Sequence, residues 1–375
     1  MARLSGDSGD SGDSGDSGDS ADSGDSGDSL RSARSTTARA LISSREGVVG
    51  YWRPPTSIPA NYQADPGALD RWSPAVRYRI LEGELLSGIY YDAASNSVSV
   101  EYRDRSVASL STLVHMIRPA EADFAKQLEF VNSYAALRME RSSEIAAEMH
   151  DILSFLGSVG FLNPERSRRT VELLSLVQQV TIVIEMRVKH ALVCRRPVEY
   201  SPQIQPMILT PAHGSLPSGH ATESFAAAFV LYALMCQAKS SGDSLDEADP
   251  TFVQLMRHAE RIAINRTVAG VHFPVDSVAG MVLGRTLAEF YIARLSGKGE
   301  VRTRSFDGRG FEGDFAYDQV LAMSYKRSAG SDGTADTGGS DRIIQRASTA
   351  LSIPVSPLLN HLWDAALSEC RLIVT

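Results

Sequence analysis

The sequence predicts a mostly helical protein behind a long unstructured leader, and three observations carry that prediction. Residues 5–29 are a Ser-Gly-Asp triplet repeat, broken once at Ala21, with no apolar residue able to seed a core. Residues 120–156 are rich in Ala, Glu, Leu and Met, which are strong helix formers. Beyond residue 160, proline and cap residues stand directly ahead of long apolar runs, as at Asn163-Pro164 and Pro274.

Taken in order, residues 30–45 are Ser/Thr/Arg-rich and read as linker, so 1–45 forms a disordered tail. Folded structure is expected to begin near Val48 to Trp52. Pro54, Pro55 and Pro59 then impose an irregular stretch. Residues 72–89 read as a helix. Residues 97–102 alternate and read as a short strand. Residues 120–156 read as one long helix or two. The next helix is expected from Asn163 to about Cys194, ended by Pro197. Three more are expected over 221–238, 252–268 and 274–295, with Gly270, Gly280 and Gly284 allowing close packing. Residues 240–250 are a polar, acidic loop. Residues 327–340 are a Gly/Ser/Asp-rich loop, a surface loop or a lid. A final helix over 358–372 would pack on the bundle or on a second subunit, leaving a homo-oligomer open.

At 375 residues the chain can bury a sizeable core. Its formal charge is −8, but residues 1–29 account for −7, so the folded part is close to neutral. Lacking a basic stripe, it offers no case for nucleic acid. Consecutive apolar residues nowhere reach the ~18 that span a bilayer. The longest run, 225–235, is too short, and the N-terminus lacks an apolar signal region. The expectation is therefore no transmembrane segment, with the compartment cytoplasmic or unassigned. Cys194, Cys236 and Cys370 are widely spaced, which suggests neither a disulfide framework nor a zinc site. Cys194 is expected to be a buried, inert thiol.

Three fragments carry chemistry: Lys189-x6-Arg196-Pro197, Pro217-Ser218-Gly219-His220, and Arg266-x5-His272-x3-Asp276. Together they supply three cations, two imidazoles and a carboxylate, the set that a tetrahedral oxyanion needs. Arg196 and Arg266 can offer planar forks and Lys189 a compact charge. Ser218 and Gly219 precede a helix, where backbone N–H groups and the dipole favour an anion. Asp276 would fix the tautomer of His272 and make its other nitrogen more basic. His220 would be the general acid–base. Taken singly, each fragment also reads as plain structure: solvated charges at a helix end, an ordinary turn, a structural His–Asp pair. Jointly they read as a site.

This pattern resembles the signature of the type 2 phosphatidic acid phosphatase / vanadium haloperoxidase superfamily, over roughly residues 165–295. Asn265 departs from it, standing where the family usually has Ser. The resemblance implies an all-α helical bundle with the site inside it: an N-terminal, mostly helical segment (46–160), a catalytic core (161–300) and a C-terminal extension (301–375). It implies two chemistries for one pocket. In a phosphatase, with no cofactor, His272 attacks the phosphorus of a phosphomonoester and a phosphohistidine is hydrolysed. In a haloperoxidase, His272 is the ligand to vanadium in bound vanadate, and the partners are hydrogen peroxide and a halide. His213 is placed like the extra pocket histidine of bromoperoxidases, or is a solvated loop residue. Met186 stands where fungal chloroperoxidases carry Trp, which argues against chloride. Met186 thus counts against the haloperoxidase reading, but His213 and the long segment ahead of the core place bromide oxidation first, acid phosphatase second and a non-catalytic anion-binding protein third.

Overall fold

A computed structural model of the chain describes residues 39–40, 50–57, 65–105, 109–239, 246–318 and 343–374. The repeat tail and the 327–340 loop lie outside these residues, as do Val48 and Val49 of the proposed start at 48–52. Gly50 to Ser57 is irregular and exposed.

The helices ahead of the core are α1 (Pro74–Leu86), α2 (Glu121–Tyr134), α3 (Arg138–Glu148) and α4 (Ile152–Gly160). The core helices are α5 (Arg168–Leu192), the short α6 (Pro197–Tyr200), α7 (Gly219–Ala238), α8 (Pro250–Val268) and α9 (Pro274–Ser296). Helix α10 (Pro357–Val374) closes the chain, packing on α5, α7 and α9 of the same molecule.

The stretch read as one or two helices is three, for local reasons. A 3-10 turn at Ala135–Leu137 separates α2 from α3. Asp151 then caps α4, its side chain accepting the Ser154 N–H at 3.0 Å. The predicted start at Asn163 is also displaced. Asn163 does cap, but it caps a turn, accepting from Glu165 and Arg166 N–H at 2.9 and 3.2 Å. Helix α5 begins at Arg168, and its first donors are taken by Glu369 of α10, which accepts Arg169 and Thr170 N–H at 2.9 Å. That cap comes from the far end of the chain, so local sequence could not announce it. The helix ends at Leu192, before Pro197, with Val193 left-handed at φ 49°.

Helix α7 is the axle of the bundle, buried on nearly every side by α9, α8, α5, α10 and α4. By length and composition it could cross a membrane, though its longest unbroken apolar run is short. Here 94% of its apolar window is buried inside the protein. Helices α7 and α9 meet backbone to backbone: a Cβ on Gly280 would sit 2.7 Å from the Ser218 carbonyl, and one on Gly284 would collide with the Thr222 carbonyl.

The expectation of an all-α fold needs correcting. The fold is mostly helical but includes a five-stranded mixed sheet of consecutive order: β1 (Ile89–Ala93), β2 (Ser97–Tyr102), β3 (Ser111–Ile117), β4 (Val301–Asp307) and β5 (Ile344–Leu351). Only β2 was read from its alternation. The predicted 72–89 helix stops at Leu86, and Ile89 already belongs to β1. All neighbours are antiparallel except β3 and β4, where Val114 faces Arg304 and Ile117 faces Asp307. That parallel pair joins the segments before and after the core helices. Val98, Val100 and Tyr102 turn inward, and the Tyr102 ring lies 5.1 Å from that of Phe290 on α9. One continuous hydrophobic core runs from Leu69 to Cys370.

Candidate functional site

The three motif fragments meet where α5 ends and α7 and α9 begin. Lys189 lies in the last turn of α5, 2% exposed. Its Nζ donates to the Pro217 carbonyl at 2.5 Å and the Ser215 carbonyl at 3.5 Å. The ammonium therefore braces the turn that carries Ser218. Arg196 follows α5 and is also 2% exposed. Its guanidinium is a hub: Nε donates to the His213 carbonyl at 3.0 Å, and Nη1 donates to the Val271 carbonyl at 3.0 Å. The same Nη1 lies 3.0 Å from His272 Nε2, and Nη2 lies 3.1 Å from His213 Nδ1.

His272 and Asp276 form the pair expected from their spacing, by a route other than helix-face geometry. His272 lies ahead of α9. Asp276, in the first turn of that helix, reaches back to accept the Phe273 N–H at 2.9 Å and to meet His272 Nδ1 at 3.0 Å. One carboxylate oxygen thus caps the helix and orients the ring. With Nδ1–H donated to Asp276, the Nε2 lone pair faces Arg196 and the pocket. Burial holds the His272 imidazole well below its usual range, and the charges of Arg196 and Lys189, then His220 and His213, push the same way. Burial pushes the Asp276 carboxyl upward, opposed by the Phe273 N–H and by Lys189 and Arg196. The electrostatic reach of His220 and His213 on His272 puts all three imidazoles in one neighbourhood.

Ser218 differs from expectation in one respect. Its backbone N–H goes to the Asp276 carbonyl at 2.9 Å, which ties α7 to α9 and removes it from the anion's donors. Its Oγ is buried and meets no partner among the described residues. Gly219 is the first residue of α7, where N–H groups have no acceptor within the helix. A Cβ there would stand 2.6 Å from Glu185 Oε1, so that carboxylate would have to shift to admit one. His220 follows, 3% exposed.

Arg266, fully buried near the end of α8, hangs on a residue that sequence reasoning missed. Its Nη2 donates to Glu148 Oε2 at 2.5 Å and to the Ile145 carbonyl at 3.4 Å. Its Nε and Nη1 meet no partner among the described residues. Its own carbonyl accepts the Val271 N–H at 3.2 Å, one residue before His272. Glu148, on α3, is fully buried, and burial pushes its carboxyl up to about 7 against the pull of Arg266 and Asn265. The only signal available was a Glu three residues from Ile145, on the one buried stripe of a polar helix. Asn265 donates from Nδ2 to Glu148 Oε1 at 2.6 Å and Glu144 Oε1 at 2.9 Å.

Other expectations concern the surroundings. His190 is exposed, and Cys194 is buried with its thiol pushed up to about 12 by burial. That matches an inert thiol. Among the described residues, no group of three or more His, Cys, Asp or Glu could hold a metal cation. The donor chemistry is that of an anion site.

The model of the PAP2 superfamily matches residues 172–298. That stretch spans every motif residue named above. A search of the curated proteins finds no match. Among solved structures, the chain matches a transmembrane PAP2 type phosphatidylglycerolphosphate phosphatase from Bacillus subtilis. The identity is 16% and the TM-score 0.27, over 60% of this chain and 93% of the other.

Proposed function

Taking as premise that residues 172–298 belong to the PAP2 superfamily, we propose that this protein hydrolyses a phosphate monoester through a phosphohistidine on His272. The observation that carries the proposal is the state of His272. A buried, neutral imidazole with Nδ1 on Asp276 presents its Nε2 lone pair to Arg196 Nη1 at 3.0 Å, within the field of Lys189. The buried donors Ser218 Oγ and Arg266 Nε and Nη1 have no partner among the described residues, and buried donors without partners are costly unless a ligand takes them.

In this reading the phosphoryl oxygens lie against Ser218 Oγ, the first N–H groups of α7, Arg196 and Arg266. Lys189 adds charge and holds the turn. As the anion enters, the Arg196 Nη1 donor passes from His272 Nε2 to a phosphoryl oxygen, which frees the lone pair. Nε2 then attacks phosphorus in line with the ester oxygen. The N–P bond forms as the P–O bond breaks. His220, in its protonated form, gives its proton to the leaving oxygen. Neutral His220 next takes a proton from water, whose oxygen attacks the phosphohistidine. Phosphate leaves and His272 is restored. Asp276 holds the ring and offsets the charge that His272 gains in attack.

Vanadate is a tetrahedral oxyanion and fits the same donors: Ser218, Gly219, Lys189, Arg196 and Arg266 would hold it, with His272 as its ligand. Bound there, it would supply peroxide activation for halide oxidation. The position of His213, 3.1 Å from Arg196, favours keeping this as the second reading. It stands second because the two features that put it first do other work. His213 is held by Arg196, and the helices ahead of the core deliver Glu148 to Arg266.

The test is paired activity on one purified sample: hydrolysis of an aryl phosphate without vanadate, and bromination of a dye with peroxide, bromide and orthovanadate. The proposal expects hydrolysis that vanadate inhibits and that His272→Ala abolishes. Vanadate-dependent bromination with negligible hydrolysis would replace it with the second reading.

A further inference from the structure

Glu148 belongs to α3, outside the matched residues 172–298, yet it is the side-chain partner of Arg266. Both are fully buried, so the pair sits where an ionic contact is strongest and where losing one partner is most damaging. The contact uses one nitrogen. Glu148 Oε2 and the Ile145 carbonyl both take Nη2, which leaves the N–H groups of Nε and Nη1 to other acceptors. A guanidinium is rigid and planar, so fixing one nitrogen from two directions fixes where the others point.

Glu148 is itself held. Its second oxygen accepts from Asn265 Nδ2 at 2.6 Å. Asn265 is oriented in turn: Arg141 Nη1 donates to its Oδ1 at 2.9 Å, and its Nδ2 also reaches Glu144. Glu144 is gripped by both ends of the Arg261 fork at 2.5 and 2.7 Å. The result is a relay between α3 and α8, from Arg261 at the exposed end to Arg266 at the buried end. Neighbouring bonds fix the amide orientation of Asn265. A Ser at that position, as the family pattern has, could not span from Glu148 to Arg141.

We propose that Glu148 is a positioning residue for the oxyanion: with Asn265 it sets the direction of Arg266, which makes α3 part of the anion site. This rests on the reading of Arg266 as an anion-binding residue. It assigns the site a component from the segment ahead of the core. It also assigns Asn265 a positive role, as the residue that couples that segment to the core.

The experiment titrates inorganic phosphate, and separately orthovanadate, into the full-length protein by calorimetry, so it needs no turnover. The variants are Glu148→Gln, Glu148→Asp, Asn265→Ala, Arg266→Ala and the double variant Glu148→Gln/Arg266→Ala. Each is checked for folding by circular dichroism. Glu148→Gln is expected to weaken phosphate about tenfold or more, the scale of one charge-assisted hydrogen bond. Glu148→Asp should recover part of that loss, and Asn265→Ala should weaken binding by a smaller factor. The decisive readout is the cycle: in the Arg266→Ala background, Glu148→Gln should change affinity less than twofold. A merely structural role would lower the melting temperature and leave the affinity of the folded fraction alone, or give additive losses, and either result overturns the proposal. Should Glu148→Gln fail to fold, Asn265→Ala and Glu148→Asp still decide, since unchanged phosphate affinity in both contradicts it. Phosphate binding that tracks Glu148 in a protein without aryl phosphatase activity would sustain this inference and sink the phosphatase reading. A wild-type protein that binds neither anion overturns both.

Discussion

His272 is kept neutral by its surroundings, and that has a consequence for stability. In the unfolded chain its imidazole takes up a proton as pH falls through about 6.5. In the folded protein its pKa is held well below that value, by burial first and by Arg196 and Lys189 next. The native state therefore binds fewer protons there than the unfolded state. The stability linked to this group is complete above about pH 6.5 and is lost as pH falls toward the folded value. Comparing wild type with His272→Gln removes the contribution of the buried carboxyl of Glu148, which shifts the other way. The melting-temperature advantage of wild type over the variant should shrink between pH 7.5 and pH 5, and an advantage that grows would contradict the assignment. Asp276 acts through the same ring. Asp276→Asn should keep the fold and lower phosphatase kcat/KM by about 10–100-fold, the usual cost of losing an orienting carboxylate. Every motif residue was legible in the sequence, because their types and spacings are local. Glu148 was not, because its partner Arg266 lies 118 residues further on and nothing in α3 points to it.

At the scale of elements, the anion turn is held in place by glycine contacts and by side chains from other helices. Gly284 lets α9 lie against the α7 backbone at Thr222. In Gly284→Ala, helix propensity favours alanine by about 1 kcal/mol. The new Cβ would press on a backbone oxygen that cannot swing aside, so repulsion wins. A net loss of about 1–3 kcal/mol in urea denaturation is expected, the usual cost of overpacking. Unchanged stability would mean that the two helices are not set by this contact. The core helices were legible from apolar runs and from Pro274, and Pro250, read as the end of a loop, is the first residue of α8. Their exact starts were not, since α5 takes its cap from Glu369. Four of the five strands were missed. β4 reads as a charged stretch, Val301 to Asp307, and its buried Arg304 is paired with Glu289 of α9 at 2.5 Å.

At the scale of the molecule, the sheet and α10 make the flanking segments part of one body with the core. β3 pairs with β4 across the whole core sequence. α10 buries Leu359, Leu362, Trp363 and Ala366 against the bundle, and its Glu369 caps α5. A chain truncated after residue 351 should therefore lose more than a terminal helix. It leaves the α5 N-terminus uncapped and uncovers the face of α7 that α10 contacts. Circular dichroism should show it largely unfolded or aggregated, and a truncated chain with native helicity and an unshifted melting temperature would refute this view. This level was the least legible in sequence, because pairing between distant segments leaves no local trace.

The central claim is covalent chemistry at His272, and the most direct measurement is to trap it. The protein is mixed with excess aryl phosphate, quenched in base within milliseconds to seconds, digested and mapped by mass spectrometry. The account predicts phosphate on the peptide carrying His272, present during turnover and absent from His272→Ala. Steady hydrolysis with no phosphorylated histidine at that position, or with the phosphate on another residue, would contradict it.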